Sequence, residues 1–239
     1  MDLRLSGKIA LVTGSTAGIG FAIAKSLASE GAHVYVNGRT QERVDAATAA
    51  IRSHAAAARV DGIAADFSGS AGAAAVIAKL PAVDVLVNNV GIFEPKPFAE
   101  IPDADWYRLF EINVMSGVRL SRHYLAGMLE RNWGRILFVS SESGVQIPAD
   151  GVTANSILAG PTESEGVGAF VEAMAKQENK SKAEVEKQFF DHVRPSSLLK
   201  RFATVDEVAA MAIYLAGEVS SATNGAALRV DGGVVRAIL

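Results

Sequence analysis

Thr13-Gly14-Ser15-Thr16-Ala17-Gly18-Ile19-Gly20 follows the apolar run Ile9-Ala10-Leu11-Val12 and leads straight into Phe21-Ala22-Ile23-Ala24-Lys25. The apolar run reads as a buried strand, and Ile19, Ile23 and Leu27 recur at a helical interval. The stretch is therefore a strand, a glycine turn and the opening of a helix. Such a turn lets the backbone approach a phosphate, and the helix's free N–H groups and dipole favour the negative charge. Glycine used only for φ > 0 would suit an ordinary turn. The strand before and the amphipathic helix after make Gly14, Ser15, Thr16, Ile19 and Gly20 candidates for dinucleotide binding.

The chain continues in the same alternation. Gly31 suits a helix C-terminus. His33-Val34-Tyr35-Val36 is a second strand that ends in Asn37-Gly38-Arg39-Thr40. A carboxylate at that place would hold a ribose 2′-hydroxyl, whereas an arginine can accept a 2′-phosphate. No acid stands there and Arg39 does, with Thr40 beside it. The pattern predicts a helix over residues 41–58 with Val44, Thr48 and Ile51 inward. It then predicts strands over 62–67 and 84–87 with a helix over 70–80 between them, leaving Asp66 and Asn89 at strand ends. A long helix over 103–130 carries Trp106, Phe110, Asn113, Gly117, Leu120 and Tyr124 as one stripe, which puts an amide on the apolar face. Strand five, residues 134–139, ends at Ser140-Ser141-Glu142-Ser143-Gly144. Strand–helix alternation at this spacing implies one domain with a doubly wound parallel sheet, whose ligands gather at the carboxyl ends of the strands.

Composition narrows the class. Apolar residues are 49% of the 239, enough for a large core, and a net charge of −3 offers no basic patch for nucleic acid. The absence of cysteine removes disulfides and thiolate chemistry, and His33, His54, His123 and His192 lack metal-ligand spacing. No apolar run reaches membrane-spanning length, so the expectation is a cytoplasmic protein with neither metal nor membrane partner.

With these segments in order, the chain resembles the short-chain dehydrogenase/reductase family. The resemblance rests on TGSTAGIG, the NNVG after strand four, Asn113 in its helix and SSESG after strand five. It rests also on Ala159-Gly160-Pro161-Thr162 and Val230-Asp231-Gly232-Gly233. It implies a Rossmann-type fold and hydride transfer between a nicotinamide and a carbonyl or alcohol carbon of a small substrate. Gly14, Thr16 and Ile19 would line the pyrophosphate, Asp66 and Phe67 the adenine, and Asn89 and Gly91 the ribose. The Gly160-Pro161-Thr162 segment would lie beside the nicotinamide, with Thr162 at its carboxamide. Ser141 would orient the substrate carbonyl, and Asn113 would hold a water in a proton relay. Arg39 favours NADP(H) over NAD(H), and the family implies a homodimer or homotetramer.

The family's tyrosine and lysine are absent. A phenol with a pKa of about 10 needs nearby positive charge to work near neutrality, which the lysine supplies. Family spacing from Ser141 would put the pair at positions 154 and 158, which hold Ala154 and Leu158. Residues 152–157 already read as strand six. Only residues 141–151 join it to strand five, fewer than the dozen or more of a parallel crossover with its helix. The helix between strands five and six is therefore missing as a block, with a junction at Ala149-Asp150-Gly151. Either the natural polypeptide carries residues here that this sequence does not, or the chain is this short and is a nucleotide-binding scaffold without catalysis. The packing cost of losing a sheet-covering helix favours the first.

Residues 163–200 form an excursion that in this family is the substrate lid, with Val167, Phe170, Val171 and Met174 on one apolar face. Val185 and Phe189 lie on another. Such faces suit a largely hydrophobic substrate. Ser181-Lys182-Ala183-Glu184 and Thr204-Val205-Asp206-Glu207 read as capping boxes. Residues 226–230 are the last strand, and the apolar tail 234–239 suggests a subunit contact.

Overall fold

The computed structural model describes residues 2–55, 58–94, 96, 100–140 and 152–235. Strand β1 (Ile9–Val12) runs through the glycine turn into helix α1 (Gly18–Ser29), and β2 (His33–Gly38) into α2 (Gln41–His54). Then come β3 (Arg59–Ala64), α3 (Ser70–Lys79), β4 (Val85–Asn88), α4 (Asp103–Phe110), a π-helical turn (Glu111–Met115), α5 (Ser116–Glu130) and β5 (Gly134–Ser140). Strand β6 (Val152–Ala159) follows, and β7 (Thr162–Glu163) opens an excursion through α6 (Glu165–Glu178) and α7 (Lys182–Gln188). The short β8 (Ala203–Thr204), α8 (Val205–Ala216) and β9 (Ala227–Val230) complete the order.

Seven strands form one parallel sheet in the order β3-β2-β1-β4-β5-β6-β9, while β7 and β8 pair separately. This is the doubly wound architecture that the alternation predicts. Its chirality rule sends helices to alternate faces. Period-two side chains sort accordingly: Ala10 and Val12 pack with α1 and α8, while Leu11 points the other way, toward α3 and α5. The core is thus two apolar layers, with Ile23, Leu27, Val208 and Ala212 in one and Val76, Leu120, Tyr124 and Met128 in the other. Both predicted capping boxes are present, Ser181 with Glu184 and Thr204 with Glu207.

Three expectations need correction. Strand β3 occupies Arg59–Ala64 rather than 62–67, because its register pairs His33 with Arg59 and Gly38 with Ala64. Helix α2 stops at His54 and α3 at Lys79. The third concerns the long helix, which is broken by the π turn. A π turn inserts one extra residue, and one residue is about 100° of helical phase. The face of α4 and the π turn nearest the protein is therefore Asp105, Arg108, Leu109 and Ile112, one residue earlier than the expected Trp106, Phe110 and Asn113, which stand exposed. Beyond the turn the expected stripe resumes, with Gly117, Leu120 and Tyr124 buried. Among the described residues no helix is long and apolar enough to cross a membrane.

Candidate active site

The chain goes β1, β2, β3 in one direction and then crosses to β4 on the other side of β1, so strand order reverses between β1 and β4. Ligands of such sheets bind in the crevice outside the carboxyl ends at that point. The glycine turn leaves β1 there, and Asn89 leaves β4 opposite it. Asn89 Nδ2 donates to the carbonyls of Thr13 and Gly14, both at 3.0 Å. Gly14 has φ +61°, and a Cβ on it would stand 3.1 Å from Val90. A Cβ on Gly20 would strike Asn89 Nδ2 at 2.3 Å. The two glycines and the amide therefore fit only as a set.

Two residues that the sequence reading gave no role hold this crevice together. The Thr13 hydroxyl accepts from the amides of Asn89 and Val90 at 2.9 and 3.0 Å and donates to Val87 O at 3.2 Å. Asn37 is buried at the end of β2. Its Oδ1 accepts from Gly14 N at 3.1 Å, and its Nδ2 donates to the carbonyls of Ile63 and Ala65 at 3.0 and 3.3 Å. The signal available was position: both are polar residues at carboxyl ends of otherwise apolar strands, where an unpaired buried amide or hydroxyl is costly.

Each expected site residue except Ser141 has a definite place. Ser15 is fully buried, its hydroxyl donating to Val12 O at 2.7 Å and accepting from Asn37 N at 3.0 Å, so it holds the turn and presents no free group to the crevice. Thr16 and Ile19 are half-buried beside it. Arg39 is exposed at the end of β2 and, among the described residues, has no ion-pair partner. Thr40 caps α2, its hydroxyl accepting from Arg43 N at 3.4 Å. Asp66 is exposed and caps its own turn by accepting from Ser68 N at 2.9 Å. The Phe67 side chain lies in the α3–α5 core, which leaves only its backbone for the adenine side. Gly91 is exposed, and a Cβ there would lie 3.6 Å from Asn113 Oδ1.

On the far side of the crevice, a Cβ on Gly160 would sit 2.5 Å from Asp231 Cα, so the two segments cross backbone to backbone. Thr162 is buried, and its Oγ1 donates to Gly160 O at 2.9 Å. Pro161 O accepts from Ala203 N at 2.8 Å, anchoring β7 to β8. Ser164, the N-cap of α6, lies 3.7 Å from where a Gly18 Cβ would be, so the 160–164 segment returns to the glycine turn.

Asn113 sits in the π turn, exposed, its amide paired with the backbone of Ile92 on both sides. This corrects the expectation of a buried amide and leaves the side chain committed to the loop after β4. Arg119 bridges the turn with two bonds to Glu111, at 2.5 and 3.1 Å, and holds that carboxyl below the usual range. Glu94, Lys96, Asp105 and Arg108 tie the same loop to α4, and the hydrogen bond from Lys96 lowers the Asp105 carboxyl. Ser141, expected to orient the substrate, lies outside the described residues, as does the 141–151 connection.

Positions 154 and 158 lie on β6, opposite Ile136 and Ser140 of β5. Ala154 is fully buried in the sheet core. Tyr35 lies on β2, Tyr107 on α4, Tyr124 on α5 and Tyr214 on α8, none of them between β5 and β6. Tyr124 donates to Leu80 O at 2.8 Å within the core, and burial pushes its phenol well above the usual range.

The family model described as short chain dehydrogenase matches residues 8–186, and one described as Enoyl-(Acyl carrier protein) reductase matches residues 142–235. The chain belongs to the short-chain dehydrogenase family. Members with which it shares sequence include the uncharacterized oxidoreductase YvrD of Bacillus subtilis, 43% identical with all of both chains covered. D-beta-hydroxybutyrate dehydrogenase of Cupriavidus necator is 34% identical, covering 97% of this chain and 99% of its own. Among solved structures, L-sorbose reductase of Gluconobacter frateurii, complexed with NADPH and L-sorbose, superposes with a TM-score of 0.90 at 27% identity over all of both chains. The pairing with YvrD runs over 266 positions against 239 residues here, so at least 27 positions of that short-chain relative face no residue of this chain.

Proposed function

We propose that this short-chain dehydrogenase is an NADP(H)-dependent oxidoreductase acting on a carbonyl or alcohol carbon of a small substrate. The observation that carries this reading is the cradle at the strand reversal. Gly14 and Gly20 leave room that a Cβ would fill, Asn89 braces them, and Arg39 stands exposed at the end of the neighbouring strand with no ion-pair partner among the described residues. A nicotinamide cofactor, when bound, supplies or takes the hydride. The turn's backbone with Thr16 and Ile19 binds the pyrophosphate, and Ser15 keeps that backbone in place. The Arg39 guanidinium neutralises the 2′-phosphate. Asp66 and the Phe67 backbone border the adenine, Asn89 and Gly91 the ribose, and Gly160, Pro161 and Thr162 the nicotinamide end. Ser141 orients the substrate oxygen, and Asn113 holds the wall formed by the loop after β4.

The family's acid–base pair is assigned to residues of the natural polypeptide between positions 149 and 152 that this sequence lacks. Support comes from the short β5–β6 connection and from the longer span of the relatives. Residues 163–200 are read as the lid over the substrate. The outward Trp106, Tyr107, Phe110 and Val114 support a homodimer or homotetramer. The test is titration calorimetry with NADPH and NADH, followed by a carbonyl-reduction panel, on protein of natural sequence. Failure to bind NADPH together with no turnover on any carbonyl overturns the reading.

A further inference from the structure

Asn37, 1% exposed near the end of β2, sits where three segments meet. Its main chain holds Ser15 on both sides, its carbonyl accepting from Ser15 N at 2.8 Å and its N–H donating to Ser15 Oγ at 3.0 Å. Its side chain reaches further, accepting from Gly14 N and donating to the carbonyls of Ile63 and Ala65. The next residue repeats the link: Gly38 O accepts from Ala65 N at 2.9 Å, and a Cβ on Gly38 would strike Thr16 Cγ2 at 2.4 Å. Strand pairing does not reach this far. The β1–β2 ladder ends at the Val12–Val36 pair and β3 ends at Ala64, so Gly14, Ser15 and Ala65 lie beyond it. The spacing between the glycine turn, the end of β2 and the segment after β3 is therefore set at one buried amide.

We propose that Asn37 is a positioning residue for the adenosine-phosphate half of the cofactor, fixing the turn, Arg39 and the Asp66–Phe67 segment at one mutual spacing. The proposal rests on the nicotinamide-cofactor reading above, which gives those three segments the pyrophosphate, the 2′-phosphate and the adenine. Asn37 itself is enclosed and acts only through their backbone. A ligand read at three points gains affinity when the points are spaced before it arrives. The adenosine and its 5′-phosphate are common to NADP and NAD, so Asn37 serves both, whereas Arg39 discriminates between them. Aspartate at this position is nearly isosteric and separates the bonds from the volume. Ionised, it accepts only and faces two carbonyl oxygens; protonated, it regains one donor and keeps an acceptor for Gly14 N. Burial beside those carbonyls raises its pKa, so both forms can be reached.

Titration calorimetry with NADP+, NAD+ and 2′,5′-ADP, on protein of natural sequence, tests the proposal. Asn37→Ala should weaken all three ligands by about tenfold or more, with little dependence on pH. Asn37→Asp should bind as weakly at about pH 8.5 and severalfold tighter than Asn37→Ala at about pH 5.5, where its carboxyl is protonated. Melting curves at each pH confine the comparison to folded protein. If neither variant folds, Ser15→Ala, which frees Asn37 N, should weaken the three ligands in parallel, and unchanged binding then overturns the proposal. Asn37→Ala with wild-type affinity overturns it, as does Asn37→Asp no tighter than Asn37→Ala at the lower pH. Wild type that binds none of the three ligands overturns the cofactor reading and this proposal together. Wild type that binds them with variants to match overturns this proposal alone.

Discussion

Asn113 closes a two-bond ring on the backbone of Ile92, accepting from its amide at 2.8 Å and donating to its carbonyl at 2.9 Å. The ring fixes the loop after β4 against the π turn. Asn113→Ala removes both bonds, whose net worth is about 1 kcal/mol each at most for so exposed a pair. Stability should change little, while kcat/KM of the natural-length enzyme falls about tenfold, equivalent to about 1.4 kcal/mol of transition-state stabilisation. Steady-state kinetics beside a melting curve checks this. A large fall in Tm with unchanged kcat/KM would assign Asn113 to stability alone.

Gly20→Ala drives a methyl against Asn89 Nδ2 at 2.3 Å and Gly14 O at 2.6 Å. Overpacking of this kind costs about 1–3 kcal/mol. Asn89 must leave the two carbonyls it satisfies, so the phosphate cradle opens. NADPH affinity measured by calorimetry should fall more than tenfold. An alanine variant with unchanged affinity refutes the cradle.

Arg39→Ala separates the two nicotinamide cofactors. Loss of a charge-assisted contact of about 1.5–3 kcal/mol should weaken NADPH by roughly ten- to a hundredfold and leave NADH unaltered. Equal weakening of both would place Arg39 outside the 2′-phosphate site.

The capping box of α8 gives a pH signature. Arg201 hydrogen-bonds Glu207 at 2.8 and 3.0 Å, and with the Thr204 backbone bond this lowers the carboxyl to about 2. A depressed carboxyl pKa stabilises the fold above the unfolded value, about 4.3, and that contribution is lost as pH falls toward 2. Glu207→Gln should therefore lower Tm at pH 7 and flatten its decline between about pH 4.5 and 2. A variant with the wild-type acid limb would show that this carboxylate does not contribute.

Intact mass spectrometry of the natural polypeptide should give a mass several kilodaltons above the 25.0 kDa of this sequence. A mass matching 25.0 kDa, with measurable turnover, would require an acid–base pair other than the family's.

The sheet was legible because burial and periodicity agree along it. Val12, Val36, Val87 and Ile157 are apolar in the primary sequence and buried in the core. The end of β3 was less so. Ala65 and Phe67 continue the apolar alternation of the strand, yet they pack into the core from a loop, and pattern alone cannot tell a strand from its apolar continuation. The crevice residues Gly14, Gly20 and Asn89 could be read because strand–turn–helix context gives glycines a purpose. Thr13 and Asn37 offered only their position at strand ends as a signal, since their work is done through bonds between segments distant in sequence.

The π turn gives chain length an angular meaning. Removing one residue between Glu111 and Met115 would return the helix to ordinary winding and rotate α4 by about 100° about its axis. Trp106 and Phe110 would swing from solvent toward the sheet, and Asn113 would lose Ile92. A deletion in an exposed segment would then behave as a torsion of the site wall rather than as a shortening, so this stretch should tolerate substitution far better than any change of residue number.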